Sequence, residues 1–267
     1  MAVSIHPMAC VSPKARLEDG VVVGPFAVID DDVSIGKNTV IDCGVRVTGR
    51  TTIGADNHFF NGVSVGTDPQ DLKYKGEDTE LIIGDNNRFR EFCTINKGTV
   101  TGIGKTVIGN NNLFMAYCHI AHDCVLGNDN VLANNATLGG HVVIGNNVVI
   151  GGLSAMHQFI RVGDHVMLGG ASVLRQDAIP YTLVEGNPAV THGLNVVGLR
   201  RRGFSQESIL EMKKVVRIFC REQLALPTAF EKARAEVTLL PEAENMIRFI
   251  EKSERGYTKG KRGDDAE

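Results

Sequence analysis

Apolar residues recur at every sixth position along most of the chain. Counting in sixes from Ile5, eleven consecutive positions are apolar, ending at Val65. The run resumes in the same phase at Ile83 and, after a shift of one residue, continues from Ile108 to Leu174. Of the 26 positions in these runs, 22 are Ile, Val or Leu. A period of six matches neither an α-helix nor a coiled coil, whereas hexapeptide periodicity is typical of parallel β-helices.

Each six-residue unit predicts a short strand followed by a turn. The residue two before each apolar position is often small or apolar as well, as at Val63, Cys93 and Val142, so each strand buries two side chains. Such units resemble the left-handed parallel β-helix of the hexapeptide acyltransferases, which has three units in each coil of about 18 residues. The left hand comes from this resemblance, because general chirality rules would favour right-handed crossovers.

The hexapeptide pattern is interrupted twice. A polar segment of one coil's length separates Val65 from Ile83, and a second excess of residues precedes Ile108. Because the pattern resumes after each interruption, we expect external loops at about residues 66–80 and 98–106. Long loops on a rigid scaffold commonly carry function, although a tolerated insertion would look the same.

Helical signals replace the six-residue pattern in the last third of the chain. Ser205 is a typical helix N-cap, and Pro227 and Pro241 are each expected to open a further helix. We therefore predict a mainly β fold in two domains. A parallel β-helix over residues 1–190 is followed by a small α-helical domain over residues 191–267.

The composition is that of an ordinary globular protein. The 267 residues are 43% hydrophobic and 22% charged, with a formal net charge of −3. No apolar run could span a bilayer and the N-terminus lacks the features of a secretory signal, so we expect a cytoplasmic protein without membrane insertion. Residues 198–221 contain seven basic and two acidic residues, which suits a phosphate or an acidic protein, or else only a solvated helix face. Nothing in the sequence points to nucleic acid as a partner.

The candidate chemistry lies in four histidines whose positions point away from the β-helix interior: His119, His122, His141 and His157. With 18 residues per coil, Gly140 lies one coil above His122, and His141 lies one coil above Asp123, about 5 Å away. A base, a carboxylate and a glycine amide in one patch are the inventory of general base catalysis with an oxyanion donor. Any one of these histidines alone could equally be an ordinary surface residue.

A metal site is the alternative use of clustered histidines. The γ-class carbonic anhydrases share the left-handed β-helix and hold zinc with three histidines, but His119 and His122 do not match the spacing of that family. The glutamates expected beside such a site are also missing, so we predict no metal. Three cysteines that point inward are predicted to be core residues and not nucleophiles: Cys93, Cys118 and Cys124.

Several longer motifs occur in a fixed order. They are Asp-Leu-Lys-Tyr (71–74), His-Ile-Ala-His-Asp-Cys (119–124), Leu-Ala-Asn-Asn-Ala-Thr-Leu-Gly-Gly-His (132–141), His-Gln-Phe (157–159), Gly-Asn-Pro-Ala (186–189) and Gly-Leu-Arg-Arg-Arg-Gly-Phe (198–204). Together they resemble the acyl-carrier-protein:UDP-N-acetylglucosamine O-acyltransferases, the family that opens lipid A biosynthesis. The related N-acyltransferases carry an extra N-terminal domain, whereas here the repeats begin at Ile5.

The resemblance implies roles for particular residues. His122 matches the general base, Asp123 the carboxylate that orients it, and the Gly140 amide the oxyanion donor. Gly170 matches the position that limits the length of the acyl groove. The predicted sugar and acyl contacts are Gln70, Asp71, Lys73, His119, His141, His157 and Gln158, and the predicted nucleotide contacts are Asn195 and Arg201. The resemblance also implies a homotrimer with sites between subunits. It implies no cofactor, because the donor carries its phosphopantetheine on acyl carrier protein.

Two positions depart from the family pattern, and alternatives stay open. Val197 stands where a polar nucleotide contact is expected, and Asn96 stands where histidine is expected near the sugar. The acceptor could therefore be UDP-N-acetylglucosamine or its 3-amino analogue. Another hexapeptide acyltransferase that uses acetyl-CoA and a non-catalytic solenoid are the rival interpretations.

Overall fold

The chain forms a three-sided prism of short strands with a helical region at its C-terminal end. The computed structural model describes residues 2–260. Successive strands pass in turn to a first, a second and a third sheet, and nearly all neighbouring strands within a sheet are parallel. The exception is the last pair, which forms an antiparallel hairpin.

The strands have the following bounds. The first sheet contains β1 (Ser4–Ile5), β4 (Val22–Val23), β7 (Val40–Ile41), β10 (His58–Phe59), β13 (Arg88–Phe89), β16 (Leu113–Phe114), β19 (Val131–Leu132), β22 (Val149–Ile150), β25 (Met167–Leu168), β27 (Thr182–Gly186) and β28 (Ala189–Leu194). The second sheet contains β2 (Cys10–Val11), β5 (Val28–Ile29), β8 (Arg46–Val47), β11 (Ser64–Thr67), β14 (Thr94–Asn96), β17 (His119–Ile120), β20 (Thr137–Leu138), β23 (Ala155–Met156) and β26 (Val173–Leu174). The third sheet contains β3 (Arg16–Leu17), β6 (Val33–Ile35), β9 (Arg50–Ile53), β12 (Glu80–Ile83), β15 (Lys105–Ile108), β18 (Val125–Leu126), β21 (Val143–Ile144) and β24 (Arg161–Val162).

The strand register confirms three units per coil. Ser4 pairs with Val22 and Val131 pairs with Val149, each an offset of 18 residues. The two interruptions leave the prism between β11 and β12 and between β14 and β15. Residues 68–79 are called the first loop below, and residues 97–104 the second loop.

The sixth-position residues line the interior of the prism. Phe59, Phe89 and Phe114 are fully buried and stack on successive coils, with ring centroids 4.7 and 4.5 Å apart. Cys93 and Cys118 are completely buried as predicted. The first coil differs, because it has only one neighbouring coil and its sixth-position residue Ile5 remains 46% exposed.

A ladder of asparagines occupies one interior corner. Asn57, Asn87, Asn112 and Asn130 are buried. Each side-chain oxygen accepts a hydrogen bond from the backbone of the next coil, as in Asn130 N to Asn112 Oδ1 at 2.9 Å. The amide nitrogens donate to turn carbonyls, such as that of Gly127 at 3.0 Å. The ladder therefore satisfies buried turn groups that the strands cannot reach.

The C-terminal region contains helices α1 (Val196–Arg201), α2 (Gln206–Val216), α3 (Leu226–Glu236) and α4 (Pro241–Glu251), and α2 continues into a π-helical turn over Arg217–Arg221. Ser205 caps α2 by accepting a hydrogen bond from Ser208 N at 3.0 Å. Met212 and Phe219 contribute to a second apolar core. Residues 261–267 of the predicted helical domain lie outside the described residues. Within residues 2–260 we find no helix with the length and apolarity needed to cross a bilayer.

Candidate active site

The candidate site follows the corner between the second and third sheets. Asp123, His141 and Phe159 occupy equivalent turn positions on three successive coils, with φ of 58°, 61° and 67°. Backbone hydrogen bonds lock the coils together there, since His141 N donates to His122 O and Phe159 N to Gly140 O, each at 3.0 Å. The 18-residue spacing therefore brings these side chains into one column.

His122 and Asp123 form a hydrogen-bonded pair. His122 Nδ1 lies 2.8 Å from Asp123 Oδ2. The second loop folds over the carboxylate, which also accepts hydrogen bonds from Thr99 Oγ1 at 2.6 Å and Ile103 N at 3.0 Å. Burial opposes ionisation of Asp123, but the hydrogen bonds from Thr99 and His122 outweigh it and hold the pKa of the carboxyl below its ordinary value. The carboxylate thus stays ionised and presents the other ring nitrogen of His122 outward.

Gly140 lies directly against the His122 ring. A β-carbon at this position would come within 2.6 Å of His122 Cε1, so only glycine leaves the imidazole in place. Within residues 2–260 the Gly140 N–H has no hydrogen-bond acceptor. The unpaired amide and the His122 ring therefore lie side by side.

His141 continues the cluster on the next coil. Its ring meets that of His122 edge-on at 5.0 Å and stacks on Phe159 at 4.3 Å. Burial lowers the pKa of His141, although the Asp123 and Asp71 carboxylates act in the opposite direction.

His119 lies below this cluster. Its Nδ1 is 2.7 Å from Thr94 Oγ1, and burial lowers its pKa. The histidines therefore lie outside the β-helix wall, as predicted, but His122 and His141 are largely covered, with side chains 13% and 18% exposed.

Three of these residues could in principle ligate a metal ion. His122, Asp123 and His141 offer ligand atoms that all lie within 4.8 Å of one another. However, four donors already engage the Asp123 oxygens: Thr99 N, Thr99 Oγ1, Ile103 N and His122 Nδ1. A carboxylate with four hydrogen-bond donors is better suited to orienting His122 as a base than to binding a metal ion.

The first loop presents Gln70 and Lys73 as exposed side chains, with Lys73 N donating to Asp71 Oδ1 at 3.0 Å. Asn96 anchors this loop, because its Nδ2 donates to Asp68 O at 3.0 Å and to Thr67 Oγ1 at 2.9 Å. The unexpected asparagine is thus a buried residue at the base of the loop.

The other predicted residues lie elsewhere on the chain. His157 and Gln158 are exposed on the same corner, one coil beyond Gly140. Gly170 lies on the corner between the first and second sheets. Asn195 caps α1 and donates to His165 O at 3.2 Å near the third corner, and Arg201 is exposed on α1. In a single chain, the residues predicted to contact substrate therefore lie on all three corners of the prism.

Sequence reasoning missed several residues at the site. Thr99 and Ile103 hold Asp123 from the second loop, Phe159 stacks on His141, and Arg255 contacts His157. The shift in the six-residue pattern marked the second loop as an excursion, but no periodic signal showed where it folds.

Family models match two parts of the chain. The model described as UDP-N-acetylglucosamine O-acyltransferase, domain 2, matches residues 177–258. The bacterial transferase hexapeptide model, with six repeats, matches residues 105–140.

Relatives match nearly the whole chain. The acyl-[acyl-carrier-protein]–UDP-N-acetylglucosamine O-acyltransferase of Myxococcus xanthus is 51% identical over 255 residues, covering 96% of this chain and 99% of the relative. The protein of the same name from Halorhodospira halophila is 46% identical over 252 residues, covering 94% and 98%. The solved structure of LpxA from Acinetobacter baumannii has a TM-score of 0.93 at 41% identity, covering 96% of this chain and 99% of that chain.

These likenesses confirm the predicted fold class, a left-handed parallel β-helix with a helical C-terminal region. Fold and site together define a hexapeptide-repeat acyltransferase. More specifically, the chain belongs to the family of acyl-[acyl-carrier-protein]–UDP-N-acetylglucosamine O-acyltransferases, as its sequence motifs predicted.

Proposed function

We propose that this chain transfers a 3-hydroxyacyl group from acyl carrier protein to the 3-hydroxyl of UDP-N-acetylglucosamine, the first step of lipid A biosynthesis. The observation that carries this proposal is the His122–Asp123 pair, 2.8 Å apart beside the Gly140 amide, in a chain of this family. The relatives are named as O-acyltransferases, which favours a hydroxyl acceptor over a 3-amino analogue.

The proposed mechanism is direct attack without an acyl-enzyme. Asp123 accepts the Nδ1 hydrogen of His122, so Nε2 is free to take the proton of the sugar hydroxyl as its oxygen attacks the thioester carbonyl. The Gly140 N–H stabilises the resulting oxyanion. When the tetrahedral intermediate collapses, the C–S bond breaks and the protonated His122 returns its proton to the phosphopantetheine sulfur. The step is complete without a metal or a resident cofactor.

The substrate contacts are proposed around this centre. We assign the sugar and acyl contacts to Gln70, Asp71, Lys73, His119, His141, His157 and Gln158, and the nucleotide contacts to Asn195 and Arg201. The exposed side chains of Gln70 and Lys73 support a role of the first loop in substrate binding. The charge of Arg201, which has no ion-pair partner within residues 2–260, suits a diphosphate.

We propose that the chain works as a homotrimer. A column of exposed apolar side chains follows the corner between the first and second sheets: Met8, Phe26, Phe92, Tyr117 and Leu153. Leu72 at the tip of the first loop is 98% exposed. A second copy that covers these residues would also bring contacts from different corners into one site. Sedimentation as a species of three 28.8 kDa chains is expected, and a monomer at micromolar concentration would contradict this proposal.

Acyl carrier protein is proposed to dock near the basic helices. A cavity of about 540 Å³ is lined by His192, Lys213, Arg217 and Arg221. Lys213 has no ion-pair partner in the described part of the chain, and this cationic surface suits an acidic partner. We place the reaction in the cytoplasm, where acyl carrier protein and nucleotide sugars are found.

The test is a mass-spectrometric transfer assay. It pairs 3-hydroxyacyl carrier proteins with UDP-N-acetylglucosamine or its 3-amino analogue. We expect product with the hydroxyl acceptor, an at least roughly 100-fold loss for His122→Ala, and no loss for His6→Ala, an exposed histidine outside the site. Absence of transfer by the wild type, or full activity of His122→Ala, would overturn the proposal.

A further inference from the structure

The C-terminal segment, residues 252–260, leaves the helical region and returns to the end of the β-helix. Its backbone pairs with Asp177, since Asp177 N donates to Gly256 O and Thr258 N donates to Asp177 O, each at 2.9 Å. Tyr257 is buried and donates to Phe219 O at 3.2 Å. The segment is therefore held from both sides at a fixed place.

Asp177 is the centre of this attachment. Its carboxylate is buried and accepts hydrogen bonds from Arg161 N at 2.8 Å, Arg161 Nε at 3.1 Å and Ser253 Oγ at 2.8 Å. Gln176 Nε2 lies 3.4 Å from the carbonyl oxygen of Arg255. Arg255 is thus flanked by two residues tied to Asp177, Ser253 and Gly256, and its own carbonyl is held by Gln176.

The side chain of Arg255 extends to the column of site residues. Its Nη1 lies 3.0 Å from His157 Nδ1, and its guanidinium lies 5.6 Å from the Phe159 ring centroid. Phe159 in turn stacks on His141 at 4.3 Å. Arg255 therefore lies on the same corner that holds His122, at the end nearer the C-terminal helices, which is called the outer end of the active site below.

His157 Nδ1 lies between two partners. Arg255 Nη1 is 3.0 Å away and can only donate, whereas Gln158 O is 3.1 Å away and can only accept. The guanidinium and the imidazole are thus held side by side at the surface. Arg255 is exposed and has no ion pair with a carboxylate within residues 2–260.

We propose that Arg255, with His157, binds a phosphate of a substrate at the outer end of the active site. This inference rests on the proposed function, whose two substrates both carry phosphate: the phosphodiester of the phosphopantetheine and the diphosphate of the nucleotide sugar. The planar fork of donors on a guanidinium suits the oxygens of a phosphate, and the neighbouring His157 ring offers a further polar contact. His157 lies two coils beyond His122, about 10 Å along the prism, so the phosphate is separated from the reacting atoms by an intervening part of the substrate.

The test compares steady-state kinetics of Arg255→Ala and Arg255→Lys with the wild type. We expect the KM of the phosphate-bearing substrate to rise about 10- to 100-fold in Arg255→Ala, with kcat nearly unchanged, and Arg255→Lys to recover part of the loss. Lys252→Ala is the matched control, because it removes an exposed positive charge from the same segment. Wild-type turnover reports on the proposed function independently of these variants.

The donor arms distinguish the two sources of phosphate. Acyl-phosphopantetheine and acyl-pantetheine differ only in the phosphate. If Arg255 binds the donor phosphate, the rise in KM caused by Arg255→Ala is absent when acyl-pantetheine is the donor. If Arg255 binds the acceptor diphosphate, the KM of UDP-N-acetylglucosamine rises in Arg255→Ala with either donor. An unchanged KM for both substrates, or an equal rise in Lys252→Ala, would overturn the proposal. Thermal unfolding of Arg255→Lys and Arg255→Ala separates a binding defect from detachment of the segment.

Discussion

The imidazole of His122 occupies the space that a side chain at Gly140 would need. Cε1 and Nε2 of His122 lie 2.6 and 2.7 Å from the place of a β-carbon at position 140. The two residues come from neighbouring coils, so the 18-residue repeat itself sets the distance between the proposed base and the proposed oxyanion donor. Any change in side-chain size at position 140 acts directly on the base.

Gly140→Ala is expected to reduce kcat by about 100-fold, because the added methyl group displaces the His122 ring from the substrate. Gly170→Ala is the control, since its β-carbon would meet Gly152 O only at 3.4 Å. This control should keep its kcat with a short-chain donor. Equal kcat values for Gly140→Ala and the wild type would contradict the assigned geometry.

Substitutions at Thr99 test whether its hydrogen bond to the Asp123 carboxylate supports catalysis. Thr99→Val removes the 2.6 Å hydrogen bond to Asp123 Oδ2, so we expect kcat to fall about tenfold while KM is kept. Thr99→Ser keeps the hydroxyl and should retain most of the activity. Thr101→Val is the matched control, because exposed Thr101 contacts Thr99 but not the carboxylate. A defect of the same size in Thr101→Val would show that the loop, and not the hydrogen bond, matters.

Removing a buried ladder asparagine is expected to cost much more stability than removing an asparagine on the outer corner. Asn112→Ala leaves the buried Asn130 N–H and Gly127 carbonyl without partners, which should lower the free energy of unfolding by about 2–4 kcal/mol. Asn128 makes similar contacts on the half-buried outer corner, where water can replace them. Asn128→Ala should therefore cost under about 1 kcal/mol by urea unfolding. Similar losses in the two variants would refute this account.

Much of the fold could be predicted from the sequence because every coil repeats the same environment. A residue such as Phe89 or Ile120 is buried by its position in the repeat alone. The ladder asparagines were harder to predict, since a polar residue beside a turn is normally exposed. Long-range contacts had no periodic signal: Thr99 reaches Asp123 across 24 residues and Arg255 reaches His157 across 98. Those contacts depend on the path of non-repeating segments.

Stability should decrease as the pH falls below about 6.5. Burial lowers the pKa of His119 and His141 from the ordinary value of 6.5, so below that pH the unfolded chain binds more protons than the folded one. Asp123, whose pKa is also lowered, stays ionised in this range. We expect a lower free energy of unfolding at pH 5.5 than at pH 7.5, at most about 1.4 kcal/mol per pH unit for each histidine. His119→Gln should reduce the difference, whereas His192→Gln, at an exposed position, should not.

Side-chain size at position 170 is expected to set the preferred length of the acyl donor. Gly170 is exposed, and a β-carbon added there would meet only the Gly152 backbone, at 3.4 Å or more, so we expect Gly170→Met to fold normally. If this corner receives the end of the acyl chain, the methionine shortens the space by several methylene groups and shifts the preferred donor to a shorter chain. Competition among 3-hydroxyacyl carrier proteins of graded length, read by product mass, measures the shift. Gly152→Ala adds a single methyl group on the preceding coil and should shift the preference less. An unchanged length preference in Gly170→Met would place the end of the acyl chain on another part of the surface.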